Sequence, residues 1–173
     1  TNAGKSYFLL TDGLASVARE GVKTWTGIIS PQEMTEPLQT AFVAPSADDY
    51  DGVDVTYING TTWAEETVQC RTPGNPTPVK IEDYTLDGVL DQDRAYQIGM
   101  RRLMKYRQQR LTHTTTTELD ALCYNVGDRI VFTDDIPGSK TISTLIEDIS
   151  SSGGVTTISV SEKINWDFSN PRA

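Results

Sequence analysis

The stretch "RLTHTTTTELDALC", residues 110–123, gathers the residue types that catalysis uses most often. It holds the single histidine of the chain, His113, together with Glu118, Asp120 and Cys123. Histidine titrates near neutral pH without help from its surroundings, so His113 is the first candidate for a general base. A triad would also need a nucleophile, and no nucleophile setting such as Gly-x-Ser-x-Gly occurs in the sequence. We therefore favour a polar, non-catalytic residue on a half-covered strand face.

The two carboxylates of this stretch suggest a different chemistry. Glu118 and Asp120 would project from one face of an extended strand about 7 Å apart, which overlaps the carboxylate spacing of inverting glycosidases. Such enzymes place the two groups on opposite sides of a sugar bond, usually from different elements facing a cleft. A cell-wall hydrolase is kept as the alternative function, and a solvated strand face is favoured.

Other motifs that could bind ligands are incomplete. The acidic stretch at 47–54 lacks the ligand alternation and closing Glu of an EF-hand, and "DDIPG" at 134–138 carries even less spacing information. "AGKS" at 3–6 lacks the upstream glycine of a phosphate-binding loop. Cys70 and Cys123 lie too far apart for a Cys-x-x-Cys site. The sequence predicts no cofactor, no metal and no enzymatic activity.

Length and charge narrow the class of protein. A chain of 173 residues is expected to form a single domain, 1–173, or two lobes at 1–90 and 91–173. A net charge of −9 argues against nucleic-acid binding by bulk attraction. No apolar run approaches the ~20 residues of a membrane-spanning helix, so no membrane segment is predicted. Because the chain begins at Thr1, we expect a processed chain or a piece of a longer one.

Closely spaced turn residues separate short segments rich in Val, Ile, Thr and Tyr, which is typical of a mostly antiparallel β protein. Apolar residues alternate over 53–57 before Asn59-Gly60, a dipeptide that favours a type I′ turn. A hairpin is predicted there, with residues 61–69 as the returning strand. A second hairpin is predicted around "SSSGG" at 150–154.

Two helices are predicted. Ser30 and Glu33 suit a capping box, with Pro31 at the first helical position, and Pro37 would end that helix after about two turns. The second helix, over "DQDRAYQIGMRRLMKYRQQR", is long and capped by Asp91. At about 100° per residue its core half contains Ala95, Tyr96, Gly99, Met100, Leu103 and Tyr106.

Within that helix, Gly99 predicts a close approach to a sheet, since a mid-helix glycine costs about 1 kcal/mol relative to alanine. After residue 110 the period changes to two. The threonines at 114–117 disfavour a helix and suit a pleated sheet, so a strand is predicted. One face of it would carry Leu111, His113, Thr115, Thr117, Leu119 and Ala121.

Basic residues are concentrated in the long helix and its exit, which hold six of the fifteen in the chain: Arg94, Arg101, Arg102, Lys105, Arg107 and Arg110. A cationic face on an otherwise acidic chain suits contact between copies of the same chain. A solvated face with local ion pairs remains an equal alternative. On the first reading, Arg94, Arg101 and Lys105 are the predicted subunit-interface residues.

The order of these elements resembles a known family. Residues 93–138, "DRAYQIGMRRLMKYRQQRLTHTTTTELDALCYNVGDRIVFTDDIPG", are similar to the signature of the host-specificity protein J family, the tail tip proteins of long-tailed bacteriophages. The hairpin "DGVDVTYING" at 51–60, followed by Trp63, also resembles that family. The resemblance extends over residues 24–160, and His113 and Cys123 depart from its pattern.

The resemblance implies a structural protein of the virion tail, made in the bacterial cytoplasm, from a family similar to baseplate hub proteins. Such proteins form trimers that close the tail tube, contact other tail proteins and reach the host receptor through other parts of a longer chain. We expect an α+β domain, mostly antiparallel, with one long helix on a barrel-like sheet or two packed sheets. The expected role is in the distal hub, supporting host attachment, with DNA passing an acidic lumen unbound. A receptor-binding module is a further alternative.

Overall fold

The computed structural model describes residues 6–11, 13–19, 26–118, 122–133 and 142–162. They form two compact units. The sheet unit comprises the described residues up to 43 and from 110 onwards, and the helix unit comprises residues 44–109. In the sequence, the helix unit is thus inserted between two parts of the sheet unit. The bounds of these two units differ from those of the lobes 1–90 and 91–173 considered above. The single hub-like domain stays a prediction.

The sheet unit is built from eight strands, β1 (Ser6–Thr11), β2 (Leu14–Arg19), β3 (Gly27–Ile29), β4 (Gln39–Phe42), β8 (Leu111–Thr117), β9 (Arg129–Phe132), β10 (Ile142–Ser152) and β11 (Val155–Glu162). Six of them form one sheet in the order β3-β9-β10-β11-β8-β4, in which β3 and β9 are parallel and the other pairs antiparallel. β1 and β2 form a separate antiparallel hairpin.

The predicted hairpin near the C-terminal end is confirmed as β10 and β11. Its turn consists of Gly153 and Gly154, with φ of 65° and 84°. A type I′ turn needs positive φ at both central residues, which glycine adopts at no steric cost. The core of the sheet unit lies on one face of this sheet, where Ile29, Ile130, Phe132, Ile146, Ile158 and Val160 are buried.

The threonine-rich stretch is a strand, as predicted. In β8, His113, Thr115 and Thr117 are buried, whereas Thr112 is exposed. β11 and β4 flank it, so the strand is internal to the sheet. Leu119 and Ala121 lie outside the described residues.

The predicted two-turn helix at 30–37 is wrong, because only one 3-10 turn forms, over Pro31–Glu33. The Glu33 carboxylate does accept the Ser30 N–H at 2.8 Å, as a capping box requires. The chain then leaves the turn, since Met34 bridges to Thr117 and the Thr35 N–H donates to the Thr116 carbonyl at 2.8 Å. Pairing with β8 therefore replaces helical hydrogen bonds before Pro37 is reached.

The helix unit consists of β5 (Gly52–Ile58), β6 (Glu65–Cys70), β7 (Ile81–Thr85) and α1 (Gln92–Gln108). β5 is the central strand, antiparallel to β6 and parallel to β7. The first predicted hairpin is thus confirmed. Together with the sheet unit, this confirms an α+β fold of mostly antiparallel strands with one long helix, and no closed barrel forms among the described residues.

The type I′ turn predicted at Asn59-Gly60 is wrong. Ile58 pairs with Glu65, so residues 59–64 form a longer loop, and positive φ occurs at Trp63 (54°) instead. The side-chain oxygen of Asn59 accepts the Thr61 N–H, and the backbone carbonyl of Asn59 accepts the Trp63 N–H, both at 2.8 Å. These bonds stabilise the wider loop.

The long helix is confirmed as α1. The Asp91 carboxylate caps it by accepting the Arg94 N–H at 2.8 Å. Tyr96 and Tyr106 are half-buried, and burial extends further round the helix than the predicted half, because Ile98 and Met104 are also buried. No described helix is long and apolar enough to cross a membrane.

Gly99 lies where α1 approaches the sheet, as predicted. A Cβ atom at this position would overlap Cys70 Sγ on β6 and Val55 Cγ2 on β5. Both neighbours are fully buried and held by β pairing. The glycine is therefore required by packing rather than by backbone conformation.

We expect Gly99→Ala to destabilise the chain although alanine is the better helix former. Overpacking costs about 1–3 kcal/mol, which exceeds the helix-propensity gain of about 1 kcal/mol. Thermal or denaturant unfolding measures the difference, with Gln92→Ala on the exposed first turn as the matched control. Cys70→Ala in the same chain should recover part of the loss, and a fully additive double variant would contradict the contact.

Candidate interaction surfaces

One base of α1 points into the protein. Arg102 donates from Nε and Nη2 to the two oxygens of Glu82 on β7, both at 2.7 Å. Its guanidinium lies 4.4 Å from the centre of the Tyr84 ring, and the Tyr106 hydroxyl donates to Glu82 Oε1 at 3.2 Å. These four residues, the Arg102 clamp, tie α1 to the edge strand of the three-stranded sheet.

The surroundings of Arg102 favour its charged form. A bidentate pair of this kind combines charge with planar geometry. The hydrogen bonds to Glu82 raise the pKa of Arg102 above its usual range, and burial raises the pKa of Tyr106. Arg102 therefore holds α1 against β7 within the helix unit.

We expect Arg102→Lys to lower the free energy of unfolding although the charge is kept. Lysine cannot donate two parallel hydrogen bonds or stack on Tyr84. The loss should be about 1 kcal/mol, near the low end for hydrogen bonds to charged groups, because the side chain is 33% exposed. Arg101→Lys, one residue away, is the matched control in the same denaturation experiment and should change stability little. Equal effects would contradict the clamp.

The three predicted interface residues lie on the outer side of α1. Helical geometry places Arg94, Arg101 and Lys105 within about 40° of one another. Arg94 and Lys105 are exposed and Arg101 is half-buried. We call these three residues the basic stripe. Their role at a subunit interface remains a prediction.

The other bases of the helix region have contacts within the protein. Arg107 donates to the Thr72 hydroxyl at 2.6 Å, and Arg110 donates to the Val43 carbonyl at 3.5 Å. Together with Arg102 in the clamp, three of the six concentrated bases therefore bind groups of the same chain. The basic stripe is thus one part of the cationic face expected from the sequence, with Arg94 and Lys105 exposed.

The structure does not give the catalytic candidates a reactive setting. His113 is 2% exposed, with Nδ1 2.9 Å from the Thr40 hydroxyl. Cys70 is buried, and desolvation raises the pKa of its thiol to about 12, so it is a poor nucleophile. Cys123 is exposed and is not part of a disulfide bond. Glu118 is exposed, and Asp120 lies outside the described residues, so the spacing of this carboxylate pair stays a prediction.

The acidic stretch at 47–54 organises a neighbouring loop. The Asp51 carboxylate accepts the backbone N–H groups of Val79 at 2.9 Å and Lys80 at 2.7 Å, and the Asn75 amide at 3.1 Å. The Val79 hydrogen bond is the main reason why the pKa of Asp51 is lowered. Within the described residues no three His, Cys, Asp or Glu side chains could hold a metal ion together. "DDIPG" lies outside the described residues.

A cleft of about 480 Å³ opens in the sheet unit. It lies beside the edge strand β4, which contributes Thr40 to its wall. The lining is mostly apolar and comprises Pro31, Met34, Thr35, Glu36, Pro37, Leu38, Thr40 and Thr133. Glu36 is its single acidic residue, and the Thr116 hydroxyl donates to that carboxylate at 3.5 Å. A cleft with one carboxylate does not supply the pair that glycoside hydrolysis requires.

Comparison with protein families matches residues 30–147 to a family described as putative phage tail protein. This match includes all of the helix unit and much of the sheet unit. The chain belongs to this family. It is therefore a phage tail protein, and its relatives are structural components of virion tails. No curated protein matches the chain.

Solved structures share this tail protein's fold. A chain in the virion of the native gene transfer agent particle matches 99% of it with a TM-score of 0.77 and 17% identity. A tail protein from Neisseria meningitidis MC58 matches 93% (TM-score 0.63, 14% identity), and the 43 kDa tail protein of prophage MuSo2 from Shewanella oneidensis matches 90% (TM-score 0.56, 13% identity). The chain spans 39%, 52% and 50% of those proteins respectively.

Sequence reasoning missed the Arg102 clamp and the cleft. Arg102 lies between the two halves of the helical wheel, so the periodicity of α1 assigns it to neither. The partner Glu82 is twenty residues away and becomes a neighbour only through the parallel pairing of β7 with β5. Met34 lines the cleft after the chain has left the 3-10 turn. The capping signal at Ser30 predicts a longer helix there, so the cleft is not expected from the sequence.

Proposed function

We propose that this tail protein is a structural part of the distal tail tip. In this role it forms part of the hub that closes the tail tube, with 1–173 acting as one hub-like module. The full-length protein self-associates, as a trimer, and supports host attachment through other parts of its chain. DNA passes the hub without being bound specifically. The protein acts by assembly and performs no catalysis.

The family match over 30–147 is the observation that carries this proposal. The matched residues include α1, β8 and β9, which also carry the resemblance to host-specificity protein J at 93–138. The tip position rests on that finer resemblance. The similarity of fold to a chain of a gene transfer agent virion supports a role in a tailed particle.

The distribution of charge supports self-association. A net charge of −9 keeps copies apart unless a local cationic surface meets acidic groups. The basic stripe offers such a surface, because its three bases lie on one side of α1 and Arg94 and Lys105 are exposed. An acidic lumen would repel DNA phosphates and let DNA pass, since binding of nucleic acid depends on neutralising phosphates.

The described side chains favour assembly over catalysis. His113 is buried, Cys70 is held as a neutral thiol, and the cleft has one carboxylate. Asp51 is committed to the loop at 75–80 by three hydrogen bonds. His113, Cys70 and Asp51 thus each have a structural role in holding the fold.

Labelling of virions tests the tip position. Antibodies raised against this chain and bound to gold should label purified tailed particles at the end of the tail distal to the head. A fixed position at one end follows from a hub that closes the tube. Label distributed along the tail shaft, or absence of the protein from particles, would count against the proposal.

Charge reversal tests the basic stripe in the full-length protein. We expect Arg101→Glu to weaken assembly by at least about tenfold, since like charges then meet across the interface. Arg101→Lys keeps the charge and is the matched control. Analytical ultracentrifugation measures the assembly of both variants. The difference in assembly between the wild type and Arg101→Glu should shrink at high salt, because exposed charges are screened. Unchanged assembly of Arg101→Glu would remove the stripe from the interface.

A further inference from the structure

The hairpin of β1 and β2 exposes apolar residues to an unusual extent. Phe8 pairs with Val17 and Leu10 with Ala15, so these four side chains share one face. Phe8, Leu10 and Val17 are 70%, 71% and 69% exposed. We call this hairpin the apolar arm. An isolated two-stranded hairpin is marginally stable in water, so a face of this kind gains stability when another surface covers it.

The sheet unit carries a second incomplete surface at β4. This strand is the last in the six-stranded sheet, and within the described chain no strand pairs with its outer edge. Its residues Gln39–Phe42 are all exposed, and none is charged. Natural proteins usually protect a sheet edge with charge, proline or a bulge. Phe42, 61% exposed, and Thr40 lie on one face of the strand, and Thr40 also lines the cleft.

We propose that the apolar arm of one copy docks on strand β4 and the adjoining cleft of a second copy. The arm leads into β3, and β3 and β4 are the opposite ends of the sheet order. In one chain both surfaces remain exposed, so the arm does not cover its own β4. A contact between two different surfaces of the same chain is head-to-tail, and it closes into a ring when the rotation permits.

The chemistry of the two surfaces is complementary. A strand added to β4 would receive main-chain hydrogen bonds from the free edge, while a pocket beside the edge receives alternate side chains. Phe8 and Leu10 alternate in this way on β1, and the cleft offers Met34, Leu38 and two prolines. Among the four paired residues of the arm face and the residues that line the cleft, Glu36 is the single charged one, and its carboxylate already accepts the Thr116 hydroxyl. Arg19, paired with Ser6, follows at the base of the arm.

This inference rests on the self-association part of the proposed function, and it names different surfaces from the basic stripe. We expect the wild-type chain to associate reversibly in sedimentation or light scattering at up to about 1 mM, where weak contacts are populated. Phe8→Asp with Leu10→Asp, and separately Phe42→Asp, should each raise the dissociation constant at least about tenfold. Ser16→Asp, exposed on the other face of the arm, is the control and should associate as the wild type does.

Mixing provides the decisive measurement. The arm variant keeps an intact acceptor and the β4 variant keeps an intact arm, so an equimolar mixture should form a heterodimer and nothing larger. Formation of the heterodimer would also show that both variants are folded. Phe8→Ala with Leu10→Ala is a milder variant of the arm for the same experiment. A wild-type chain that stays monomeric, a Phe42→Asp chain that associates normally, or a mixture without heterodimer would each overturn the inference. If Arg101→Glu alone lost assembly, the basic stripe would stay part of the proposed interface and the docking of the arm would be contradicted.

Discussion

The close contact of α1 with β5 and β6 is the constraint on which the helix unit depends. Gly99 removes a side chain where the helix meets Val55 and Cys70, so the helix axis can approach the sheet more closely than another residue would allow. That approach brings Arg102 within reach of Glu82 on the edge strand β7. The clamp in turn fixes the rotation of the helix about its axis, and with it the direction in which Arg94, Arg101 and Lys105 point.

The same contact explains why a helix rich in bases is not simply a cationic surface. Rotation by about one residue step, 100°, would exchange inward and outward bases. The planar guanidinium of Arg102 matches a carboxylate bidentately and stacks on Tyr84, which a lysine would not do. Inward and outward bases are therefore chemically different: the clamp uses the specific geometry of arginine, whereas a surface stripe requires only positive charge.

Local patterns predicted the fold where each element satisfies its own backbone. α1 has a side-chain cap and a 3.6-residue period, and β10 and β11 have a glycine pair that permits a type I′ turn. The errors occurred where another hydrogen-bond partner, on a distant strand or within the turn itself, competes with the signal in the sequence. Met34 and Thr35 pair with β8 rather than extending the turn at Pro31, and the Asn59 side chain builds a six-residue loop where its dipeptide favours a tight turn. Parallel pairs such as β5 with β7 leave no local signature, so the Arg102 clamp could not be predicted either.

The exposed surfaces respond to different physical forces. In the proposed assembly, attraction to the basic stripe would act over distances limited by the Debye length, about 8 Å at physiological ionic strength, and would orient approaching copies. The apolar arm and β4 would gain free energy only after water is expelled, and they would contribute mainly to how slowly a complex dissociates. An acidic chain can combine the two without becoming attractive to DNA, because the apolar contact adds no positive charge and the stripe is confined to one narrow side of α1. The proposed assembly and the proposed repulsion of phosphate are therefore compatible in one chain, since they would use separate sets of side chains.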